Sequence, residues 1–336
     1  MTNRFLLSFS ILLIISGLTL ISSKIYLDNT KLISPVVNEA KTVELPLALY
    51  SIDSLKSRLF PPQDIIIADQ ISDNQDYSSN LFFLTDSQST VSGLLNLPKI
   101  KNPRGIIILL RGYVDREIYQ TGIGTRRIGE RLATNGFITL APDFLGYAKS
   151  SSPSAYPLEE RFQTYTTVLT LLNSLSDLQQ TQSADPFVGL FGHSNGGHIA
   201  LAVLEVTGAS YPTVLWAPVA KPFPFSVLAY TDEFDDKGYA LRKLIADFEK
   251  DYDVNKYSID NYFDAIQAPL SIHQGLSDQE VPFWWSDELV QILKDKNKQV
   301  EYFKYPGEDH NFNAGTWETL ATRTVNFYLN QLSNKP

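Results

Sequence analysis

Short apolar runs alternate with amphipathic stretches along most of the chain, from Gly105 to its end. Such runs are typical of strands buried on both faces, and the stretches between them have helical spacing. The alternation predicts an α/β fold with a mostly parallel, doubly wound sheet. The predicted strands are GIIILL, FITLAP, FVGLF, TVLWAP, LSIHQ and VEYFKY, and the predicted helices lie near Thr125–Asn135, Leu158–Leu178 and Gly197–Val206, in WWSDELVQILKDK, and at the end of the chain near Leu332.

Two features modify this regular alternation. The runs Asn80–Thr85 and Thr90–Leu97, joined by Asp86–Ser89, predict an antiparallel hairpin at the front of the sheet. Residues 218–268, rich in aromatic and acidic side chains, interrupt the pattern, and so short a segment can bury little core by itself. We therefore predict one domain over residues 76–334, with 218–268 as a small helical cap insertion that would overhang the site.

The part of the chain before residue 76 has no such pattern. Residues 24–75 mix Ser, Asn, Asp, Pro and short apolar groups. They predict a tether with one short helix near Ile52–Leu59, ended by two prolines.

An uncharged apolar run, Phe5–Ile21, follows Arg4 near the amino terminus. The run is longer than the core of a typical signal peptide, about 7–15 residues, and at the short end of the roughly 17–25 that span a bilayer. Residues 1–23 are therefore interpreted as an uncleaved membrane anchor or a cleaved signal. An uncleaved anchor predicts a membrane-anchored protein with an extracytoplasmic domain, and a cleaved signal predicts a secreted protein. The third interpretation of the run is a buried core helix.

The amino-acid composition limits which partners and which kinds of catalytic site the protein can have. The 336 residues carry 28 Lys plus Arg against 37 Asp plus Glu, a net charge of −9, which argues against a nucleic-acid partner. The absence of Cys excludes disulfides, thiolate metal sites and a cysteine nucleophile. Any imidazole-dependent mechanism must use one of four histidines: His193, His198, His273 or His310.

The segment Gly192–Gly197 (GHSNGG) lies directly after a predicted strand and directly before a predicted helix. This is the G-x-S-x-G pattern in the strand–turn–helix context in which the serine becomes an exposed nucleophile. The spacing predicts Ser194 as the nucleophile, on a strained turn next to a helix amino terminus that favours negative charge.

The partners of such a serine follow it in the order acid, then histidine. Asp278 lies in the loop after LSIHQ, and His310 lies in the loop after VEYFKY, so both are expected at the same sheet edge as Ser194. His310 would act as the base and Asp278 would orient it. The other histidines are expected to be structural, and Glu308 and Asp309 are weaker candidates for the acid, since sequence neighbours seldom face each other.

Two backbone N–H groups would form the oxyanion hole. The residue after the nucleophile, Asn195, supplies one, and Tyr113, in the turn Arg111-Gly112-Tyr113 after GIIILL, supplies the other. Arg111 itself is open to two interpretations, a surface cation without a role or a direct part in catalysis.

These motifs resemble the α/β-hydrolases, and more narrowly the catalytic domain of the prolyl oligopeptidase family and its dienelactone-hydrolase-like relatives. The resemblance covers roughly residues 80 to 334 and rests on RGY, APDFLGYAKS, GHSNGG, HQGLSDQEVP and YPGEDHNF. The family usually has a His-Gly pair in the oxyanion turn, where Arg111 stands here, and Gln274 extends the acid loop by one residue. Its peptidases often carry Tyr at Asn195, and no propeller domain fits before residue 80.

The resemblance and the residues together predict a serine hydrolase that cleaves an ester or a peptide bond through an acyl-enzyme. The expected substrate is a small-molecule ester or a short peptide, and no metal or organic cofactor is needed. If the run 5–21 is uncleaved, the lipid bilayer is a further partner. The alternative is a non-catalytic exported binding protein on a hydrolase scaffold.

Overall fold

A nine-stranded sheet carries the fold in the computed structural model, which describes residues 45–85 and 89–334. The strand order is β1-β2-β3-β5-β4-β6-β7-β8-β9; β1, β2, β3 and β5 pair antiparallel, and the remaining pairs are parallel. The strands are β1 (Asp64–Asp73), β2 (Tyr77–Thr85), β3 (Thr90–Pro98), β4 (Ile106–Leu110), β5 (Ile138–Pro142), β6 (Val188–His193), β7 (Thr213–Trp216), β8 (Leu270–Gly275) and β9 (Val300–Tyr305). The predicted mostly parallel sheet is confirmed, but its antiparallel front has one more strand than the predicted hairpin.

Helices cover both faces of this sheet. They are α1 (Ile52–Ser57), α2 (Arg126–Thr134), α3 (Pro157–Asn173), α4 (Leu175–Thr181), α5 (Asn195–Thr207), α6 (Phe225–Leu228), α7 (Tyr239–Asp251), α8 (Phe283–Asp295) and α9 (Trp317–Ser333). The single helix predicted over 158–178 is divided at Ser174, whose hydroxyl donates to the Thr170 carbonyl (2.7 Å) and accepts the Gln63 N–H (2.8 Å). Among the helices of the described residues, none has the length and apolarity that a membrane span needs.

The core lies in two layers, one on each face of the sheet. On β4, Ile106, Ile108 and Leu110 point into the layer that α1, α3, α5 and α8 cover, whereas Ile107 and Leu109 point into the layer under α2 and α9. Consecutive side chains of a strand face opposite sides. An all-apolar strand is therefore the expected pattern where both sides are buried, which is why these strands are recognisable in the sequence.

The predicted tether is wrong from Leu47 onward, where the compact unit begins. Leu47, Ile52 and Leu55 are buried, and α1 packs on α5. The Ser51 hydroxyl caps α1 by accepting the Ser54 N–H (3.2 Å). The sequence does not reveal this because the partner surface lies far along the chain. Residues 1–44, and with them the predicted anchor or signal, lie outside the described residues, as does most of the Asp86–Ser89 turn.

The helical insertion predicted over 218–268 is present, and its aromatic side chains join the main core. Phe162 on α3 contacts Phe223 and Tyr257, with ring centroids 5.7 and 5.2 Å apart. Nearer the acid loop, Tyr230 packs edge-on against Trp285 at 6.2 Å. The buried aromatic residues of the segment therefore complete one layer of the core.

Glu205 on α5 is a carboxyl group buried within this layer. Its side chain has no exposure, and neither carboxyl oxygen has a hydrogen-bond partner. Burial raises the pKa of Glu205 well above its usual value; the charge of Asp260 adds to this rise and that of Lys56 opposes it. The folded state therefore binds the proton more tightly than the unfolded state. This residue favours folding most below the unfolded pKa, and its contribution declines as pH rises above that value.

Replacing Glu205 by leucine is expected to raise the free energy of unfolding at pH 7 by about 1–3 kcal/mol, the cost of an unsatisfied buried polar group. The gain should shrink as pH falls toward 4.5, because the carboxyl then becomes protonated in the unfolded wild-type chain as well, and folding no longer requires it to take up a proton. Urea unfolding of both proteins between pH 4.5 and 8 measures this difference. Equal pH dependence in the two proteins would show that Glu205 does not titrate abnormally.

Candidate active site

Ser194 occupies a strained turn between β6 and α5. Its φ and ψ are 56° and −122°, a left-handed conformation that costs energy for a residue with a side chain. Glycine is required on both sides of the turn. A Cβ on Gly196 would lie 2.0 Å from the Leu110 carbonyl oxygen, and one on Gly192 would lie 2.5 Å from that of Gly196. The pattern around Ser194 thus lets β4, β6 and α5 approach each other closely.

Asp278 and His310 are paired in the loops that follow β8 and β9. His310 Nδ1 donates to Asp278 Oδ2 at 2.9 Å, and both side chains are buried. The second carboxylate oxygen accepts the backbone N–H groups of Glu280 (2.9 Å) and Val281 (2.8 Å). The carboxylate is therefore fixed on both oxygens, and it directs the Nε2 atom of His310 away from the acid.

Ser194 and this pair share one edge of the sheet. The rings of His193 and His310 are 4.7 Å apart, and His193 Nε2 donates to the backbone carbonyl of His310 at 3.0 Å. Between the described side chains of Ser194 and His310 there is no hydrogen bond. Catalytic hydrogen bonds often tighten only when substrate binds, so this geometry is compatible with a triad.

The other histidines are buried and neutral. Burial, followed by the charge of His310, lowers the pKa of His193 to about 4. Burial, followed by the charge of Arg161, lowers the pKa of His198 to about 3, and its Nδ1 donates to the Val219 carbonyl at 3.0 Å. Burial, followed by the charge of Arg323, lowers the pKa of His273 to about 3. The hydrogen bonds of these three histidines go to backbone carbonyl or hydroxyl groups. Among the four histidines, only His310 is hydrogen-bonded to a carboxylate.

The predicted oxyanion donors lie on two elements that meet at Ser194. A Cβ on Gly112 would lie 2.8 Å from the Ser194 Cβ, so the turn before Tyr113 passes directly over Ser194. Asn195 is the first residue of α5, where a backbone N–H has no partner within the helix. The Tyr113 side chain is exposed, and its hydroxyl donates to Asp115 Oδ1 at 2.9 Å.

Arg111 is not a surface cation, because its side chain is buried beneath the turn that carries Tyr113. Its guanidinium lies over the rings of Tyr147 (4.0 Å) and Tyr119 (4.6 Å). It donates to the backbone carbonyls of Gly112 (2.8 Å) and Asp143 (3.0 Å). Arg111 therefore stabilises the turn that carries Tyr113.

Three polar residues at the site have no recognised role in the motifs. Gln274 Nε2 donates to Asp278 Oδ2 at 3.0 Å, and this residue stands out in the sequence only as an addition to the acid loop. Glu280 Oε2 lies 3.8 Å from His310 Nε2 and is mostly exposed. Arg161 on α3 approaches Asn195 Oδ1 at 3.5 Å. Within residues 45–85 and 89–334, no group of three or more His, Asp or Glu is placed to hold a metal ion.

Comparison with known sequences places this site in a family context. Residues 132–335, more than half of the chain, match the model of the prolyl oligopeptidase family. A putative carboxymethylenebutenolidase of Synechocystis sp. is 22% identical over 254 residues, which cover 70% of this chain and 87% of that protein. An uncharacterized peptidase of Bacillus subtilis, YtmA, is 26% identical over 228 residues, 66% of this chain and 82% of the relative.

Solved structures share the fold. Acetyl xylan esterase 1 from Thermoanaerobacterium sp. superposes with a TM-score of 0.56 at 14% identity, over 84% of this chain and 94% of the esterase. At that identity the likeness concerns the fold alone. It confirms the predicted α/β-hydrolase architecture, whose antiparallel front and helical insertion the described residues contain.

Proposed function

Because the chain belongs to the prolyl oligopeptidase family and is therefore a serine hydrolase of ester or peptide bonds, we propose that it works through an acyl-enzyme on Ser194. His310 and Asp278 complete the triad in this proposal. The observation that carries it is the position of a strained Ser194 on the sheet edge that also presents the hydrogen-bonded His310–Asp278 pair. A binding protein would not need this combination, so the catalytic hypothesis replaces the alternative of a non-catalytic scaffold.

In the proposed reaction, Ser194 Oγ attacks the carbonyl carbon while His310 Nε2 takes its proton. The backbone N–H groups of Tyr113 and Asn195 stabilise the negative oxygen of the tetrahedral intermediate. The bond to the leaving group then breaks, and His310 returns the proton to that group. Water, deprotonated by His310, then attacks the ester formed on Ser194. The bond between the acyl carbon and Ser194 Oγ breaks, the carboxylic acid is released, and His310 returns the proton to Ser194 Oγ.

We propose a small-molecule ester as the principal substrate and a short peptide as the second candidate. The described residues form one α/β-hydrolase unit, and Asn195 stands where the family's peptidases often carry Tyr. The relatives do not favour one substrate class over the other, since one is a putative carboxymethylenebutenolidase and the other an uncharacterized peptidase.

The test compares p-nitrophenyl esters of increasing acyl length with aminoacyl and dipeptidyl p-nitroanilides, using the full chain in detergent. We expect ester turnover with little or no amide turnover. Amide cleavage at a comparable kcat/KM would replace the esterase assignment with a peptidase. Turnover of neither class, together with no labelling by a fluorophosphonate, would overturn the proposed function.

Gln274 is proposed as a positioning residue for the triad. Besides its bond to Asp278, its side-chain oxygen accepts the Ser286 hydroxyl at 2.7 Å, and both residues are buried. This arrangement fixes which way the amide points, so that its NH₂ group faces the carboxylate.

Replacing Gln274 by leucine is expected to lower kcat about tenfold or more, since a hydrogen bond to a charged group contributes about 1.5–3 kcal/mol. KM should change little, because Gln274 reaches the substrate only through Asp278. Steady-state kinetics of this variant and of Ser286→Ala, which leaves the bond to Asp278 in place, make the comparison. A rise in KM with unchanged kcat would contradict a positioning role.

We also propose that residues 5–21 direct the chain to a membrane, which leaves it anchored with an extracytoplasmic domain or secreted. The support is the uncharged apolar run itself. Carbonate extraction of membranes from cells that produce the full chain separates the two outcomes, with a chain lacking residues 5–21 as control. Cytoplasmic recovery of both proteins would refute the proposal.

A further inference from the structure

Arg161 carries a positive charge beside the proposed oxyanion hole without a counter-ion. Its Nη1 atom approaches Asn195 Oδ1 at only 3.5 Å, and its Nε and Nη2 atoms are buried without a hydrogen-bond partner. Across the described residues, no carboxylate lies within ion-pair distance of this guanidinium. An arginine side chain has five N–H donors, and leaving them unpaired out of water is unfavourable.

The carboxylates nearest in sequence are already engaged elsewhere. Glu160 pairs with Arg116, and Glu159 accepts the hydroxyls of Ser154 (2.6 Å) and Tyr50 (3.0 Å). Glu160 lines one cavity with Arg161, but its charge is paired with Arg116, and the His198 and Tyr165 side chains near the guanidinium are neutral. Burial lowers the pKa of His198 and the charge of Arg161 lowers it further, while burial raises the pKa of Tyr165 and Arg161 opposes that rise. The charge is therefore not compensated by its own surroundings.

Arg161 lines a cavity of about 230 Å³ that reaches the oxyanion turn. Tyr113 and Asn195 line the same cavity, and its apolar wall is formed by residues that include Phe144, Leu145 and Ile199. Neither His310 nor Asp278 lines it. In the proposed reaction His310 protonates the leaving group, so the leaving group lies on the histidine side. The cavity is consequently on the side of the acyl group.

From this arrangement we propose that the acyl group of the substrate ends in a carboxylate, which Arg161 binds. The inference rests on the proposed function and specifies its substrate class. The apolar wall accommodates the methylene chain of the acyl group, and the guanidinium supplies charge-assisted hydrogen bonds at its far end. Substrates of this kind are half-esters of dicarboxylic acids.

The test uses two esters of equal carbon number, mono-p-nitrophenyl adipate and p-nitrophenyl hexanoate. At low ionic strength the wild-type protein is expected to have the higher kcat/KM for the adipate ester. In Arg161→Gln the ratio of kcat/KM, adipate over hexanoate, should fall by about 30-fold or more, as for a desolvated charge that loses its partner. Arg161→Lys keeps the charge but not the planar fork, and should give an intermediate ratio.

Arg127→Gln is the matched control. It removes the same charge from an exposed side chain on α2, which packs on the opposite face of the sheet, and should leave the ratio unchanged. Adipate itself should inhibit hexanoate cleavage competitively in the wild type and much more weakly in Arg161→Gln.

Three results would overturn the inference. They are a wild type that does not prefer the adipate ester, a ratio that Arg161→Gln leaves unchanged, and a preference for a carboxylate only on the alcohol side, tested with p-carboxyphenyl hexanoate against phenyl hexanoate. Each of these results includes ester turnover and leaves the proposed hydrolase function intact. Absence of turnover with both neutral and acidic esters would instead count against the proposed function.

Discussion

Replacing Ser194 by alanine is expected to reduce turnover on the order of 10⁴-fold or more and to abolish labelling by a fluorophosphonate. Loss of the nucleophile leaves only the oxyanion donors and substrate binding, which account for a small part of the catalysis in a triad enzyme. The free energy of unfolding should change by less than about 0.5 kcal/mol, because alanine retains the Cβ and the hydroxyl makes no hydrogen bond to the described His310 side chain.

Mass spectrometry of the labelled protein, steady-state kinetics and urea unfolding test this expectation together. Ser176→Ala, on the exposed surface of α4, is the matched control and should retain wild-type turnover and labelling. Labelling that persists in Ser194→Ala would assign the nucleophile to another residue. A large loss of stability in this variant would show that Ser194 is needed mainly for the structure of the turn.

The sheet and the positions of Ser194, Asp278 and His310 could be predicted from the sequence for one physical reason. Strands that are buried on both faces must be apolar throughout, so the end of each apolar run in the sequence marks the end of a strand. Residues that follow those ends meet at one edge of a parallel sheet. The bond between His310 and Asp278 lies at that edge, after β8 and β9.

The place in the fold of an element whose packing partner is distant in sequence, or which lies at the edge of the sheet, could not be predicted in this way. The short helix near Ile52–Leu59 is predicted and corresponds to α1, but its place in the core is not, because α5, which covers its apolar positions, begins far along the chain. Strand β1 forms the edge of the sheet, and its Ile66 and Ile71 are about half exposed. Its burial shows no alternation, and its apolar run of three isoleucines and an alanine is followed by mostly polar residues, so it does not have the pattern of an inner strand.

Arg161 and Gln274 illustrate the same limit at the site. An arginine among the polar residues of α3 has the sequence context of an ordinary surface residue, and only the fold shows that its charge lies unpaired near Asn195. Gln274 is visible in the sequence as an addition to a motif. Its bond to Asp278 depends on how the acid loop closes.

Asp143, directly after β5, has no exposure and lies at the centre of the segments that support the turn Arg111–Tyr113. Its Oδ2 atom accepts the hydroxyl of Ser92 at 2.6 Å and that of Thr121 at 3.0 Å. Its Oδ1 atom accepts the Tyr119 hydroxyl at 2.7 Å. Its backbone carbonyl accepts from Arg111, which also holds the carbonyl of Gly112. One carboxylate thus joins β3 and the segment around 119–121 to the end of β5.

Replacing Asp143 by alanine is therefore expected to lower the free energy of unfolding by about 3 kcal/mol or more. The substitution leaves the hydroxyls of Ser92, Tyr119 and Thr121 without their acceptor, and each unsatisfied buried group costs about 1–3 kcal/mol. Tyr119 also packs on Arg111, so the oxyanion turn should loosen and kcat should fall even where the protein remains folded. Urea unfolding and ester kinetics below the unfolding transition measure both effects.

Asp115→Ala is the matched control, since it removes an exposed carboxylate from the loop that begins with the same turn. Its unfolding free energy should stay within about 0.5 kcal/mol of the wild type. Asp143→Asn keeps the size of the side chain but presents an NH₂ group to the surrounding donors, so it should recover only part of the stability. Stability close to wild type in Asp143→Ala would show that the hydroxyls find other acceptors. If kcat were unchanged in the folded variant, the network would not support the oxyanion turn, and Arg111 alone would hold Gly112 in place.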